Sequence, residues 1–292
     1  MNLIKRLFKQ LAPPILQSWI TKAVRHFRLR WHSASPDTQA KRLQVAHNRL
    51  NSNLAYGEFV LREGMHFYLH PESFEPFEAF CYVYPEMVEE MDSFLALTKD
   101  RLNLLDVGAL HGVFSLAFTA SSPDKKAVAV DASPFAFARL LYNVHKNAPG
   151  QVIPVECALS DESALLQMHY EWEHAVVASM SSGNSTTFSV PAERGDEVCS
   201  KLSFKPDVVK IDVEGHEISV LKGLSSVIET YKPLIFLEYH PQRVAQEGRL
   251  VADLISLLDL WGYCVLQKDG SLMPPSILER FSTDQRIILK EF

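Results

Sequence analysis

The chain has 292 residues, 47% hydrophobic and 22% charged, with 12 Gly and 16 Pro, a globular composition that leaves room for one catalytic domain plus an appendage and excludes wholesale disorder. Four scattered cysteines (Cys81, Cys157, Cys199, Cys264) with no CxxC pair exclude a disulfide framework or a cysteine zinc site and fit a reducing compartment. The net charge of −6 divides into a head of +9, with ten Lys/Arg against Asp37 in residues 1–50, and a body of −15; an acidic body does not clamp phosphates, which argues against nucleic acid as partner.

In the head, Leu3, Ile4, Leu7, Phe8 and Leu11 share one helical stripe. Pro13 and Pro14 interrupt it, and Ile15, Leu16, Trp19, Ile20, Ala23, Val24 and Phe27 resume it. Two basic amphipathic segments with Trp and Phe suit peripheral contact with an anionic membrane surface through residues 3–30. They equally suit docking on the catalytic domain or on a second subunit. No secretory signal or membrane-spanning segment is legible, so the expected location is cytoplasmic, with the inner membrane surface as the place where the head would meet lipid.

The predicted organisation is a basic helical extension (1–50), a cover region (51–102) and a ligand-binding domain (103–292). The cover holds the aromatic cluster Phe74, Phe77, Phe80, Tyr82 and Tyr84, expected as core or domain cover. From residue 103, apolar runs predict strands at 103–107, 127–131, 152–157, 208–212, 234–238, 263–267 and 286–290. Helical patterns fall at 112–121, 134–147, 217–230 and 249–261. Alternation of this kind predicts a doubly wound α/β domain, a mostly parallel seven-stranded sheet with helices on both faces and an antiparallel ending. The Ser/Thr-rich stretch 179–189 reads as a mobile loop.

DVGALHG (106–112) follows an apolar strand and opens a helix. Glycine at a strand end permits a tight turn and close approach to a ligand. Leu110 stands where a dinucleotide fingerprint needs its second glycine, which argues against a nicotinamide enzyme and allows a ligand without a pyrophosphate, such as S-adenosylmethionine. Asp131 ends the next strand, placed to accept hydrogen bonds from two ribose hydroxyls or to cap a helix. Ala158 and Leu159 supply small residues and backbone where an adenine edge would lie. KIDVEGHE (210–217) puts Asp212, Glu214, His216 and Glu217 at the carboxyl end of the fourth strand, and LEYHP (237–241) adds Glu238 and His240. Such a rim suits proton abstraction, metal binding or plain helix capping.

These motifs, with CALSDES (157–163) and the VLKG that follows KIDVEGHE, resemble the FkbM family of S-adenosylmethionine-dependent methyltransferases across about residues 103–267. The resemblance implies the class I Rossmann-like fold and O-methylation of a hydroxyl on a sugar, glycolipid or secondary-metabolite acceptor. One departure stands out: the family's turn usually reads DVGAN, with Asn where this chain has Leu110. On this reading Asp106, Gly108, Ala109, Gly112, Asp131, Ala132, Ala158, Leu159 and Asp212 hold the methyl donor. His240 and His216 are the candidate bases, as neutral imidazoles near pH 7, with Asp212 and Glu214 orienting base or substrate. No metal is assigned; a divalent cation on Asp212, Glu238 and His240 is the less favoured version. The alternative from another class is a non-catalytic, membrane-associated binding module on the same fold.

Overall fold

The computed structural model describes residues 57–171, 174–177 and 187–292. The basic head (1–50) and most of the predicted loop (179–186) lie outside the described residues. A hairpin, β1 (Glu58–Arg62) and β2 (Met65–Tyr68), leads through short helical turns to α1 (Pro85–Leu97). Then come β3 (Asn103–Val107), α2 (Val113–Ala120), β4 (Lys126–Asp131), α3 (Pro134–Asn147) and β5 (Val152–Glu156). An inserted group follows: β6 (Ala158–Ser160), β7 (Ala164–Glu171), β8 (His174–Val177) and β9 (Thr187–Arg194). The chain continues with α4 (Gly195–Lys201), β10 (Val208–Ile211), α5 (Glu217–Gly223), α6 (Ser225–Tyr231), β11 (Leu234–Tyr239) and α7 (Pro241–Gln246). It closes with α8 (Val251–Trp261), β12 (Tyr263–Leu266), β13 (Leu272–Met273) and β14 (Gln285–Glu291).

The main sheet runs β13-β12-β14-β11-β10-β3-β4-β5. From β11 to β5 every pairing is parallel, and β14 inserts antiparallel between β11 and β12. The fold is therefore doubly wound and mostly parallel, seven strands plus the two-residue edge strand β13. Strand order reverses between β3 and β10, and ligands of open α/β sheets bind at such a switch point.

Side-chain alternation sorts residues between two cores. Leu105, Val107, Val209, Ile211, Ile235 and Leu237 pack on one face with Ile218, Leu221, Leu254 and Leu258. Leu104, Ala127, Ala129, Val208 and Phe236 pack on the other with Phe94, Phe114, Phe118 and Leu140. Phe94 of α1 lies edge-on to Phe114 and Phe236, each at 5.0 Å between ring centres; such pairs contribute about 0.5–1.5 kcal/mol each beyond burial. Phe77 and Phe80 of the aromatic cluster are buried in this same core. Asp106 and Lys210, paired in register on β3 and β10, follow the same alternation and so place charge beneath α1.

Two expectations are corrected. Between 158 and 194, where no strand was expected, β6, β7, β8 and β9 form a separate four-stranded sheet in the order β6-β9-β7-β8, and residues 187–189 belong to β9 rather than to the expected loop at 179–189. The single helix expected over 217–230 is two, α5 and α6, broken at Leu224. The break follows a tight contact, since a Cβ on Gly223 would lie 2.0 Å from the Ser160 carbonyl oxygen; glycine lets the end of α5 press against β6. No described helix is long and apolar enough to cross a membrane.

Candidate active site

The turn after β3 is pinned by the backbone. Gly108 and Ala109 both donate to the Val130 carbonyl, at 2.9 and 3.0 Å. Gly108 has φ +77°, and a Cβ there would sit 1.8 Å from the Asp212 carbonyl oxygen, so the turn lies directly against the end of β10. Leu110 follows in the left-handed region at φ 49°, and its N–H donates to Asp131 Oδ2 at 2.7 Å. The other oxygen of Asp131 accepts from Ser133 N at 2.8 Å. Ser133 in turn caps α3, accepting from Ala136 N, with Pro134 at the first helical position. Asp131 is thus built into the turn it faces. Burial pushes its carboxyl up to about 7, against the lowering effect of the Ser133 and Leu110 hydrogen bonds.

Leucine in a left-handed conformation costs about 1–2 kcal/mol, which asparagine largely avoids. Leu110→Asn is therefore expected to raise the thermal unfolding midpoint by about 2–4 °C. A midpoint that falls would mean that the leucine side chain contributes packing worth more than the strain.

A pocket opens at the switch point. Gly108, Leu110, Asp131, Ala132, Ala158, Leu159, Asp212, Glu214 and His216 line it, together with Ser133, Cys157 and Met168. Met168 comes from the separate sheet, where it packs with Ala158, Val190 and Ala192, so the inserted strands supply one pocket wall. Burial drives the Cys157 thiol up to about 12, which leaves it inert as a nucleophile.

A dense charged group lies under and beside the pocket. Lys210 is buried, 3.3 Å from Asp212 Oδ2 and 4.5 Å above the Phe114 ring. Burial opposes its charge, but Asp212, Glu90, Asp106 and Glu238 outweigh that and hold it well above the usual lysine range. Asp106 is buried beneath the turn: Ser115 Oγ donates to one oxygen at 2.7 Å, and the other has no partner. Burial raises its pKa. Arg286 reaches across from β14 to Glu90 and Glu238, each at 2.7 Å. Burial first, then Asp212, raises Glu238 to about 8.

The two histidines differ sharply. His216 has both ring nitrogens engaged, Nε2 with Ser160 Oγ at 3.0 Å and Nδ1 with Glu247 at 2.9 Å. His240 Nδ1 meets Glu217 Oε1 at 2.7 Å. Its Nε2 faces Glu214 Oε2 at 3.7 Å, and Arg243 Nε lies 3.2 Å from that same oxygen. Glu217 is fully buried, also accepts from Gly215 N at 2.8 Å, and has a second oxygen with no partner. Burial would lower the His240 pKa, but Glu217, Asp212 and Glu214 hold it at about 9. The neutral imidazole expected at pH 7 is therefore not the form these surroundings favour.

The family model described as the methyltransferase FkbM domain matches residues 106–265. The chain belongs to this family. Over 141 residues it is 31% identical to the hexuronic acid methyltransferase AglP of Haloferax volcanii, covering 47% of this chain and 55% of that protein; it spans about half the length of this curated relative. Among solved structures, the methyltransferase FkbM from Methylobacillus flagellatus is similar at TM-score 0.44 and 16% identity, over 73% of this chain and 52% of that one. TYW2 of M. jannaschii in complex with AdoMet is similar at TM-score 0.38 and 12% identity, over 82% and 90%.

In this FkbM-family chain, Gly108, Asp131, Ala132, Ala158, Leu159, Asp212, Glu214 and His216 converge on one pocket. Asp106, Ala109, Gly112 and His240 are not among its lining residues. Gly112 serves instead as the cap of α2, where a Cβ would lie 2.8 Å from Leu140 Cδ1. Ala109 packs into the core. Glu238 turns to Arg286 rather than to His240. The sequence alone did not point to Met168, Lys210 or Glu90, and it placed Glu217 in the rim, as a functional acid or a helix cap, without its bond to His240. The lysine stood inside KIDVEGHE, and an ionisable residue in a buried strand was the available signal.

Proposed function

We propose that the chain is an S-adenosylmethionine-dependent O-methyltransferase whose acceptor is a sugar or glycan hydroxyl. The observation that carries this is one pocket holding a cofactor-type wall, Gly108 and Asp131, beside the acids Asp212 and Glu214, with an imidazole nitrogen of His240 within 4.8 Å of both carboxylates. The donor fits the residues present: the glycine turn at Gly108 and the buried carboxyl of Asp131 line the pocket together with Ala158 and Leu159, whose backbone offers a flat edge for a base. S-adenosylmethionine bound there supplies an electrophilic methyl group. Asp131 accepts the ribose hydroxyls while its backbone bonds keep the turn closed. Gly108 and its neighbours hold the amino-acid end, with the excess carboxylates of the rim favouring positive charge. Asp212 and Glu214 orient the acceptor, and the rim takes up the hydroxyl proton. Placement of two reactants in line accounts for much of such a rate. AglP acts on a hexuronic acid by its name, which supports a sugar acceptor here.

The test is calorimetric titration of the purified full chain with S-adenosylmethionine and with NADH, followed by methyl-label transfer to uronic-acid-containing glycans. Donor binding without NADH binding, and label on the glycan, are expected. NADH binding would overturn the reading, and donor binding with no transfer to any hydroxylated acceptor would favour the non-catalytic module.

A further inference from the structure

We infer that Asp212, Glu214 and His240 form a binding site for a divalent cation of the Mn2+ type at the acceptor end of the pocket. One ligand atom from each lies within 4.8 Å of the others. Adjacent ligands of an octahedral ion about 2.1 Å away stand roughly 3 Å apart, so small side-chain rotations close the set. It differs from the trio expected from sequence: Glu214 replaces Glu238, because Arg286 holds Glu238 at 2.7 Å.

Three features point to a cation. First, Glu217 grips His240 Nδ1 at 2.7 Å from a fully buried position, leaving Nε2 towards Glu214. A carboxylate behind the distal ring nitrogen is the arrangement that orients metal-bound histidines. Second, six carboxylates (Glu90, Asp106, Asp212, Glu214, Glu217 and Glu238) share this corner with Lys210, Arg243, Arg286 and His240, so carboxylates outnumber the basic groups. Third, the backbone aims the ligands. Asp212 ends β10 against the Gly108 turn, and Glu214 is held at φ 55° with Arg243 on its carboxylate. One imidazole with two carboxylates suits Mn2+ better than Ca2+ or Mg2+, and no thiolate is present to select a soft metal. The cation's use, lowering the pKa of the acceptor hydroxyl, rests on the methyltransferase reading; its binding does not.

The experiment is titration of the metal-free full chain with MnCl2, following the loss of the free Mn2+ electron paramagnetic resonance signal, with no methyl donor present. One site per chain is expected. Asp212→Asn and His240→Gln should weaken it at least about 30-fold, and Glu217→Gln about 10-fold. His145→Gln, an exposed imidazole on α3 outside the pocket, should leave it unchanged. Circular dichroism reports whether each variant is folded, and the wild-type stoichiometry decides if one is not. No signal loss at millimolar Mn2+, or equal loss in all variants, overturns the site. Repeating the S-adenosylmethionine titration with and without Mn2+ separates the two readings. Donor binding with no Mn2+ site removes only the cation; a Mn2+ site with no donor binding removes only the methyl-donor reading.

Discussion

Gly108→Ala should destroy the donor site and cost the protein about 2–6 kcal/mol, from left-handed strain together with overpacking. The strain comes from φ +77°, and the overpacking from a methyl carbon placed 1.8 Å from the Asp212 carbonyl oxygen. Backbone, not a flexible side-chain tip, is the obstacle, so either the turn or the end of β10 must move. Moving the turn carries Leu110 N away from Asp131; moving β10 displaces Asp212. A shift near 1 Å in a reacting geometry costs on the order of 100-fold in rate. Gly64→Ala is the matched control, since Gly64 has φ +78° and nothing within 4 Å of an added Cβ. It isolates strain from collision and should cost only about 1–3 kcal/mol. Thermal melts of the two variants, with donor titration of each, make the comparison. Equal melts and equal donor binding would show that the glycine turn is free to swing off β10.

The parts of this fold that were legible in sequence are those where one physical signal dominates. Asn103–Val107 and Val208–Ile211 are short apolar runs because both faces of a central parallel strand are buried, and Pro134–Asn147 carries a serine cap and an N1 proline. The sheet formed by β6 to β9 was not legible for an equally physical reason. In β9 only alternate residues such as Val190 and Ala192 are buried, and Pro191 sits in the middle of the run, a residue that argues against a strand. Its Ser/Thr-rich approach looks like a loop. The site divided in the same way. Motif spacing places a carboxylate at a strand end, as for Asp131 and Asp212. It does not tell which partner a side chain chooses once folded. His216 and His240 look alike in sequence; Ser160 and Glu247 occupy one, and Glu217 orients the other. Glu238 is likewise paired with Arg286, which arrives from β14, 48 residues beyond it in the chain.

Asp131 should give donor affinity and protein stability opposite pH dependences across the same range. Its folded pKa is raised from 3.8 to about 7 by burial, so the native state binds the proton more tightly than the unfolded chain. The stability this contributes is fully present below about pH 4 and is lost as pH rises through about 7. Ribose hydroxyls donate to the ionised carboxylate, so donor affinity should instead climb as pH rises through 7 and level off above it. Asp131→Asn removes the titration and should flatten both curves. It also weakens donor binding by about 10- to 100-fold, because hydrogen bonds to a charged acceptor contribute about 1.5–3 kcal/mol and the amide nitrogen cannot accept from Leu110 N or Ser133 N. Calorimetric donor titrations between pH 5.5 and 8.5, paired with melts in the same buffers, read both slopes. A wild-type affinity that is level over that interval, or one that falls as pH rises, would remove Asp131 from the ribose contact. A pH-dependent rise that persists in Asp131→Asn would assign the titration to another group at the rim.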